Sequence, residues 1–179
     1  MLSIVACRPI THMLADFDSG KTAVISPDGL SKVVFAKDGT FRVDRKGAEI
    51  GVINLFGLSA DITIAWSPDS QKFAITFSDG GAEGAFHAHL YQLRVDSVHE
   101  LSRPVDAAFD DFKSHYYCQA RGDNAYAEGW TPDSKMILII TEVCPTGDCG
   151  NIEGRMAAYL MNLNGAIARR FGDKQAQVI

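Results

Sequence analysis

Apolar and polar positions fall along this chain in short runs, and three of the runs share one punctuation. Val24-Ile25-Ser26-Pro27-Asp28-Gly29 leads into Lys32-Val33-Val34-Phe35. Ala65-Trp66-Ser67-Pro68-Asp69-Ser70 leads into Phe73-Ala74-Ile75-Thr76-Phe77, and Gly129-Trp130-Thr131-Pro132-Asp133-Ser134 into Met136-Ile137-Leu138-Ile139-Ile140. Each unit predicts a strand, a tight turn and a second strand. Proline sets φ for the turn, the aspartate side chain bonds the backbone two residues on, and glycine or serine closes it. A third strand with an aromatic residue follows each time, carrying Phe41, Tyr91 and Tyr159. A fourth follows at 50–55, 98–101 and 166–171. The prolines lie 41 and 64 positions apart, which is one four-stranded repeat and then one repeat plus an insertion.

The repeats, taken as 21–55, 60–102 and 126–171 with an insertion at 103–128, resemble the blades of the TolB and WD40-like (PD40-type) β-propeller family. Those blades carry a W-S-P-D-G turn and a later I-Y-x-x-D strand. The middle copy matches best, with Trp66-Ser67-Pro68-Asp69; Ile25 stands at the Trp position of the first, and Thr131 replaces Ser in the third. The resemblance implies an all-β fold and a binding scaffold. It carries over no catalytic residue, because the matching positions are structural. Closed propellers have 4–8 blades. Three four-stranded antiparallel blades therefore imply a small or incomplete propeller-like array in one domain over 1–179, or a fragment of a larger propeller protein. Open sheet edges would permit strand addition or a homo-oligomer. Trp66 and Trp130 are expected at equivalent, largely buried positions.

Three connections are long: 78–87, 103–128 and 142–156. In an up-and-down blade they emerge from the end opposite the Ser-Pro-Asp turns. In the middle one Pro104 suits the first turn of a helix, and Val105, Ala108, Phe109, Phe112 and Tyr116 then share a helical face. This spacing predicts one short helix over about 104–117, docked on the sheets by its aromatics.

Charge sharpens the picture. The whole chain carries −5, whereas each long connection carries −2, so the remainder is +1. The acids of this long-loop face, Asp79, Glu83, Asp110, Asp111, Asp123, Glu142, Asp148 and Glu153, are candidate contacts for a basic protein partner, whose encounter such a field would speed. Net acidity argues against nucleic-acid binding. No apolar run reaches the length of a transmembrane helix.

Four cysteines are present. Cys144 and Cys149 bracket Pro145-Thr146-Gly147-Asp148 and are the expected disulfide, with Cys118 as the alternative partner of either. Ile4-Val5-Ala6-Cys7 resembles a lipobox, but no basic start or long apolar stretch precedes it, and a first strand over 2–7 is the favoured reading. A disulfide would fit a periplasmic or exported protein, and four plain thiols a cytoplasmic one.

Candidate chemistry is sparse. His87-Ala88-His89 places two imidazoles on one face of a strand but fixes no third ligand, so no metal is expected. His115 and Cys118 lack an orienting group, adjacent Asp110 and Asp111 diverge on a helix, and Arg121-Gly122-Asp123 reads as a turn. No nucleophile elbow or phosphate loop occurs, so neither catalysis nor a cofactor is expected. The sequence thus favours a non-enzymatic protein-binding module, in its specific form a periplasmic inhibitor or immunity-type protein for a basic enzyme. The competing reading is a sugar, metal or small-ligand site, enzymatic or lectin-like, in a central depression lined by Asp79, His87, Glu142 or Glu153.

Overall fold

The computed structural model describes residues 22–36, 38–55, 62–79, 85–116, 124–144 and 149–179. The expected strand over 2–7 lies outside them. Three four-stranded antiparallel sheets follow one another, each with its strands in chain order. Sheet 1 holds β1 (Thr22–Ile25), β2 (Ser31–Phe35), β3 (Thr40–Arg45) and β4 (Ala48–Asn54). Sheet 2 holds β5 (Ile62–Trp66), β6 (Lys72–Ser78), β7 (Phe86–Leu93) and β8 (Val98–Glu100). Helix α1 (Arg103–His115) leads to sheet 3, with β9 (Asn124–Trp130), β10 (Met136–Glu142), β11 (Met156–Asn162) and β12 (Ile167–Phe171). A 3-10 turn at Gly150–Ile152 and a short helix α2 (Asp173–Ala176) had no counterpart in the sequence reading.

The three turns are built alike because their side chains close the same ring of bonds. The Ser26 hydroxyl accepts the Ser31 amide at 2.9 Å and donates to Asp28 Oδ1 at 2.6 Å, while Oδ1 accepts the Leu30 amide at 3.0 Å. Ser67 with Asp69, and Thr131 with Asp133, repeat the arrangement on Lys72 and Gln71, and on Met136 and Lys135. The fourth turn residue adopts positive φ in all three: Gly29 at 73°, Ser70 at 59° and Ser134 at 60°. Glycine adopts that region freely, whereas serine does so at a cost of roughly 1–2 kcal/mol.

The serines gain a contact that glycine would lack. Ser70 Oγ accepts the Asp28 amide at 3.0 Å, and Ser134 Oγ accepts the Asp69 amide at 2.9 Å. Each is a bond from one sheet to the next. The indoles make a second link in the same register. Trp66 Nε1 donates to the Val24 carbonyl at 3.2 Å, and Trp130 Nε1 to the Ala65 carbonyl at 3.0 Å.

Apolar alternation then stacks the sheets. Val24, Val33, Phe41 and Val43 of sheet 1 meet Ile62, Ile64, Phe73, Ile75 and Tyr91 of sheet 2. The opposite face of sheet 2, with Ala65, Ala74 and Leu90, meets Ala125, Trp130, Ile137, Ile139 and Tyr159 of sheet 3. β6 is buried on both faces, which explains its unbroken apolar run. Beyond sheet 3, Ala176 of α2 packs on Leu138, Ile140 and Ala158. The outer face of sheet 1 instead carries ion pairs, Lys32–Asp44 at 3.1 Å and Arg42 with Asp38 and Glu49 at 3.1 and 3.6 Å.

The two tryptophans are equivalent in position, as expected, and differ in the degree of burial. Trp130 is 3% exposed, whereas Trp66 is half-buried against Phe73, with ring centroids 4.9 Å apart. The neighbours differ: Trp130 enters the larger core that α1 also covers, and Trp66 lies against the smaller sheet 1 core. Trp130→Ala should therefore lower the unfolding free energy by about 3–5 kcal/mol in denaturant titration, and Trp66→Ala by clearly less.

The turn aspartates also predict a pH dependence. The Ser26 hydroxyl holds Asp28 below the usual carboxylate range, and the Thr131 hydroxyl does so for Asp133. Burial pushes Asp69 up, but the bonds from Lys72 and Ser67 outweigh it and the net shift is downward. These groups bind protons more weakly folded than unfolded. Their contribution is full above about pH 5 and is lost as the pH falls below about 4, through the lowered folded values. Denaturation midpoints across that range should show the fall, and Asp69→Asn should make it shallower.

Candidate functional site

The antiparallel order puts all three Ser-Pro-Asp turns at one end of the sheets, held together by the Asp28–Ser70 and Asp69–Ser134 bonds. The connections after β4, β6 and β10, and the entry into β9, emerge at the other end. Of the eight acids anticipated there, Glu83, Asp123 and Asp148 lie outside the described residues, as do Cys7, Cys118 and the segment 121–123.

Most of the remaining five are engaged within the fold. Asp79 accepts the Ala85 amide at 2.7 Å through Oδ1 and faces His87 Nε2 at 3.2 Å through Oδ2. Glu142 Oε2 accepts from Asn124 Nδ2 and from the Tyr126 hydroxyl, each at 3.1 Å. Burial, and next the Glu142 charge, push the Tyr126 phenol well above its ordinary value. Asn124 Oδ1 in turn accepts the Phe86 amide at 3.0 Å, so one amide side chain ties sheet 2 to sheet 3 at the base of the long loops. Glu153 Oε1 accepts the Cys149 amide at 3.0 Å. Asp111 Oδ2 lies 3.0 Å from Arg170 Nε, fastening α1 to β12. Arg170 lies over Tyr159, whose phenol burial pushes up to about 12. Asp110 is exposed and forms no ion pair among the described residues, and the same is true of Asp106 one turn earlier.

The helix behaves as its spacing predicted, with bounds two residues shorter at the C-terminal end. Pro104, Val105, Ala108 and Phe112 are buried, while Phe109 and Tyr116 are half-buried against the same core. Its stripe of Asp106 and Asp110 therefore faces outward. One turn apart, like charges repel by a few tenths of a kcal/mol in a helix; Asp106, in the first turn, gains about as much from the helix dipole, whereas Asp110 gains nothing from it.

Where α1 begins, a pocket of about 180 Å³ opens between the helix and β7. It exists because β8 is short. β8 pairs only with Tyr91, Gln92 and Leu93, Leu101 adds one bond to the Leu90 carbonyl at 2.7 Å, and the chain then turns into α1. In β7 the odd-numbered residues bond to β6, as Leu93 does to Gln71. The even-numbered ones point their backbone groups toward β8, so Ala88 turns its amide and carbonyl into the space that β8 has left. No hydrogen bond reaches them among the described residues.

The two histidines of β7 are each held by a carboxylate: His87 by Asp79, and His89 Nδ1 by Glu100 Oε1 at 2.6 Å. Phe77 lies against both rings, at centroid distances of 5.3 and 5.7 Å. No group of three metal-ligating side chains occurs among the described residues.

The Cys144–Cys149 disulfide expected from spacing is not the one formed. Cys144 is a buried thiol just beyond β10, whereas Cys149 is disulfide-bonded, and its partner lies outside the described residues. The cause is directional: the end of β10 turns Cys144 into the protein, with Val143 bonded to Arg155 and to Gly154 across the base of the loop. The chain matches no protein-family model and no curated protein.

Alkylation of the native protein without reductant should leave both Cys144 and Cys149 unmodified. Unfolding without reductant should make Cys144 alone of the two reactive, and peptide mapping reads both states.

Proposed function

We propose that this protein is a non-enzymatic binding module that takes a basic protein partner, built on a small propeller-like array similar to TolB and PD40-type repeats. The observation that carries this reading is the exposed pair Asp106 and Asp110, one turn apart on α1, neither of them in an ion pair among the described residues although Arg103 and Lys113 lie three positions away along the helix. Glu100, half-exposed beside the start of the helix, adds a third carboxylate. The chain as a whole supports it, since the three long connections carry more negative charge than the entire protein. Asp79, Asp111, Glu142 and Glu153 hold loops and sheets together, so among the described acids the partner's cations find their counter-charges chiefly along α1. The disulfide at Cys149 supports a periplasmic or exported location, in keeping with an inhibitor or immunity-type role. A ligand site in a central depression has less support, because Asp79, His87, Glu142 and Glu153 are all engaged by neighbouring groups.

Attraction of this kind is screened by salt. Affinity purification of the full chain should recover one basic protein in stoichiometric amount. Raising the ionic strength from about 0.05 M to about 0.5 M should release it, and Asp106→Asn with Asp110→Asn should weaken its retention. Failure to recover such a protein, or retention indifferent to salt and to both substitutions, would overturn the reading.

A further inference from the structure

We infer that the pocket between β7 and α1 receives a single arginine or lysine side chain of the basic partner; this rests on the reading above and gives it a contact point. The pocket has the volume of one long side chain. Its walls and its polar groups are divided as such a side chain requires. Leu101, Val105 and Phe109 supply an apolar lining for the methylene stem. Glu100 and Asp106 supply carboxylates at its rim. Glu100 meets His89 through Oε1, which leaves Oε2 to accept from a cation. The outward Ala88 carbonyl adds a third acceptor from a residue that is itself only 6% exposed.

Two features could point to a different occupant, and magnitudes decide between them. The N-terminal end of α1 favours an anion, but with the equivalent of about half a charge. Asp106 and Glu100 outweigh it, although Glu100 shares one oxygen with His89, which lines the same pocket with His87. A whole extended strand pairing with β7 is disfavoured because the edge is short: β8 and Leu101 occupy it up to Leu90, and Asn124 takes the Phe86 amide. Only the interval around Ala88 stays open, which suits a side chain better than a backbone. The Phe109 ring already holds a cation within this molecule, the Lys113 ammonium 5.3 Å from its centroid. That ammonium occupies the ring and repels a second cation, so the incoming charge is drawn to the Glu100 and Asp106 carboxylates and Phe109 serves the stem alone.

The test uses the full chain and defined probes. Amide resonances are followed by two-dimensional NMR while Nα-acetyl-arginine amide or Nα-acetyl-lysine amide is added. Nα-acetyl-citrulline amide serves as the uncharged control. The proposal expects saturable shifts at Ala88, Leu101 and Asp106 with the cationic probes and none with citrulline. Glu100→Gln with Asp106→Asn should weaken binding about tenfold or more while keeping the dispersed spectrum of the fold. If that pair of substitutions perturbs the fold, Asp106→Asn alone must still weaken binding measurably. Equal response to citrulline, or absence of saturable shifts at these amides, overturns the pocket assignment. Shifts confined to residues beside Asp79 and Glu142 also overturn it, yet leave a salt-sensitive basic partner standing. Saturable arginine binding in the pocket with no salt-sensitive partner would instead overturn the functional reading and keep the site.

Discussion

Three sheets that share no hydrogen-bond ladder among the described residues need something to set their register, and here two small contacts repeated in tandem do so. An indole N–H from one sheet reaches a strand carbonyl of the preceding sheet, and a serine hydroxyl beside it accepts an amide from the preceding turn. Apolar burial supplies most of the stabilisation but is indifferent to sliding. The indole and serine bonds are directional, and both are shielded enough that breaking them leaves a costly unpaired group. Ser70 and Ser134 hold left-handed backbone conformations to make their bonds, so the local cost of each turn is offset across the sheet boundary. The Ser-Pro-Asp turn is thus a joint as well as a reversal of the chain.

The same register determines which charges the fold itself uses. At the loop end Asn124 links Phe86 to Glu142, and Asp79 closes the strand pair that leads into β7. These carboxylates complete backbone and side-chain bonding where strands end. Helix α1 is anchored by its apolar face and by Asp111 on Arg170, while Asp110 stays outside any ion pair among the described residues and Asp106 is engaged only by the helix dipole. Residues that a fold does not use are where recognition has room to act.

Much of this was legible in the chain and some was not, for reasons that can be named. Turn chemistry is local, so Ser-Pro-Asp located β1, β2, β5, β6, β9 and β10, and alternation located the strands that follow. Pro104 and the spacing from Val105 to Tyr116 located α1. The lesser burial of Trp66 than of Trp130 was not legible, because exposure depends on what lies across the sheet, and the first repeat, with Ile25 in place of the indole, builds a smaller core. The part played by Ser70 and Ser134 was invisible, since a serine that closes a turn and a serine that also bonds the next sheet read alike. The pocket escaped notice because it results from β8 ending early, a matter of two residues. The cysteine pairing was misread because proximity in sequence says nothing about which way a strand end turns its side chain.

The central position of sheet 2 has a kinetic consequence. An outer sheet that opens gives up one interface, whereas sheet 2 cannot open without giving up two. Opening should therefore begin at the flanks and reach β6 last, so that the molecule comes apart as a short stack peeled from either side. The groove beside β7 is bounded by sheet 2 and by α1, which packs on sheet 3. Loosening of sheet 1, whose outer face is held by ion pairs in water, leaves both of its walls standing. A partner gripping that groove would in turn brace the junction of sheets 2 and 3, and with it the two-thirds of the array that opens later.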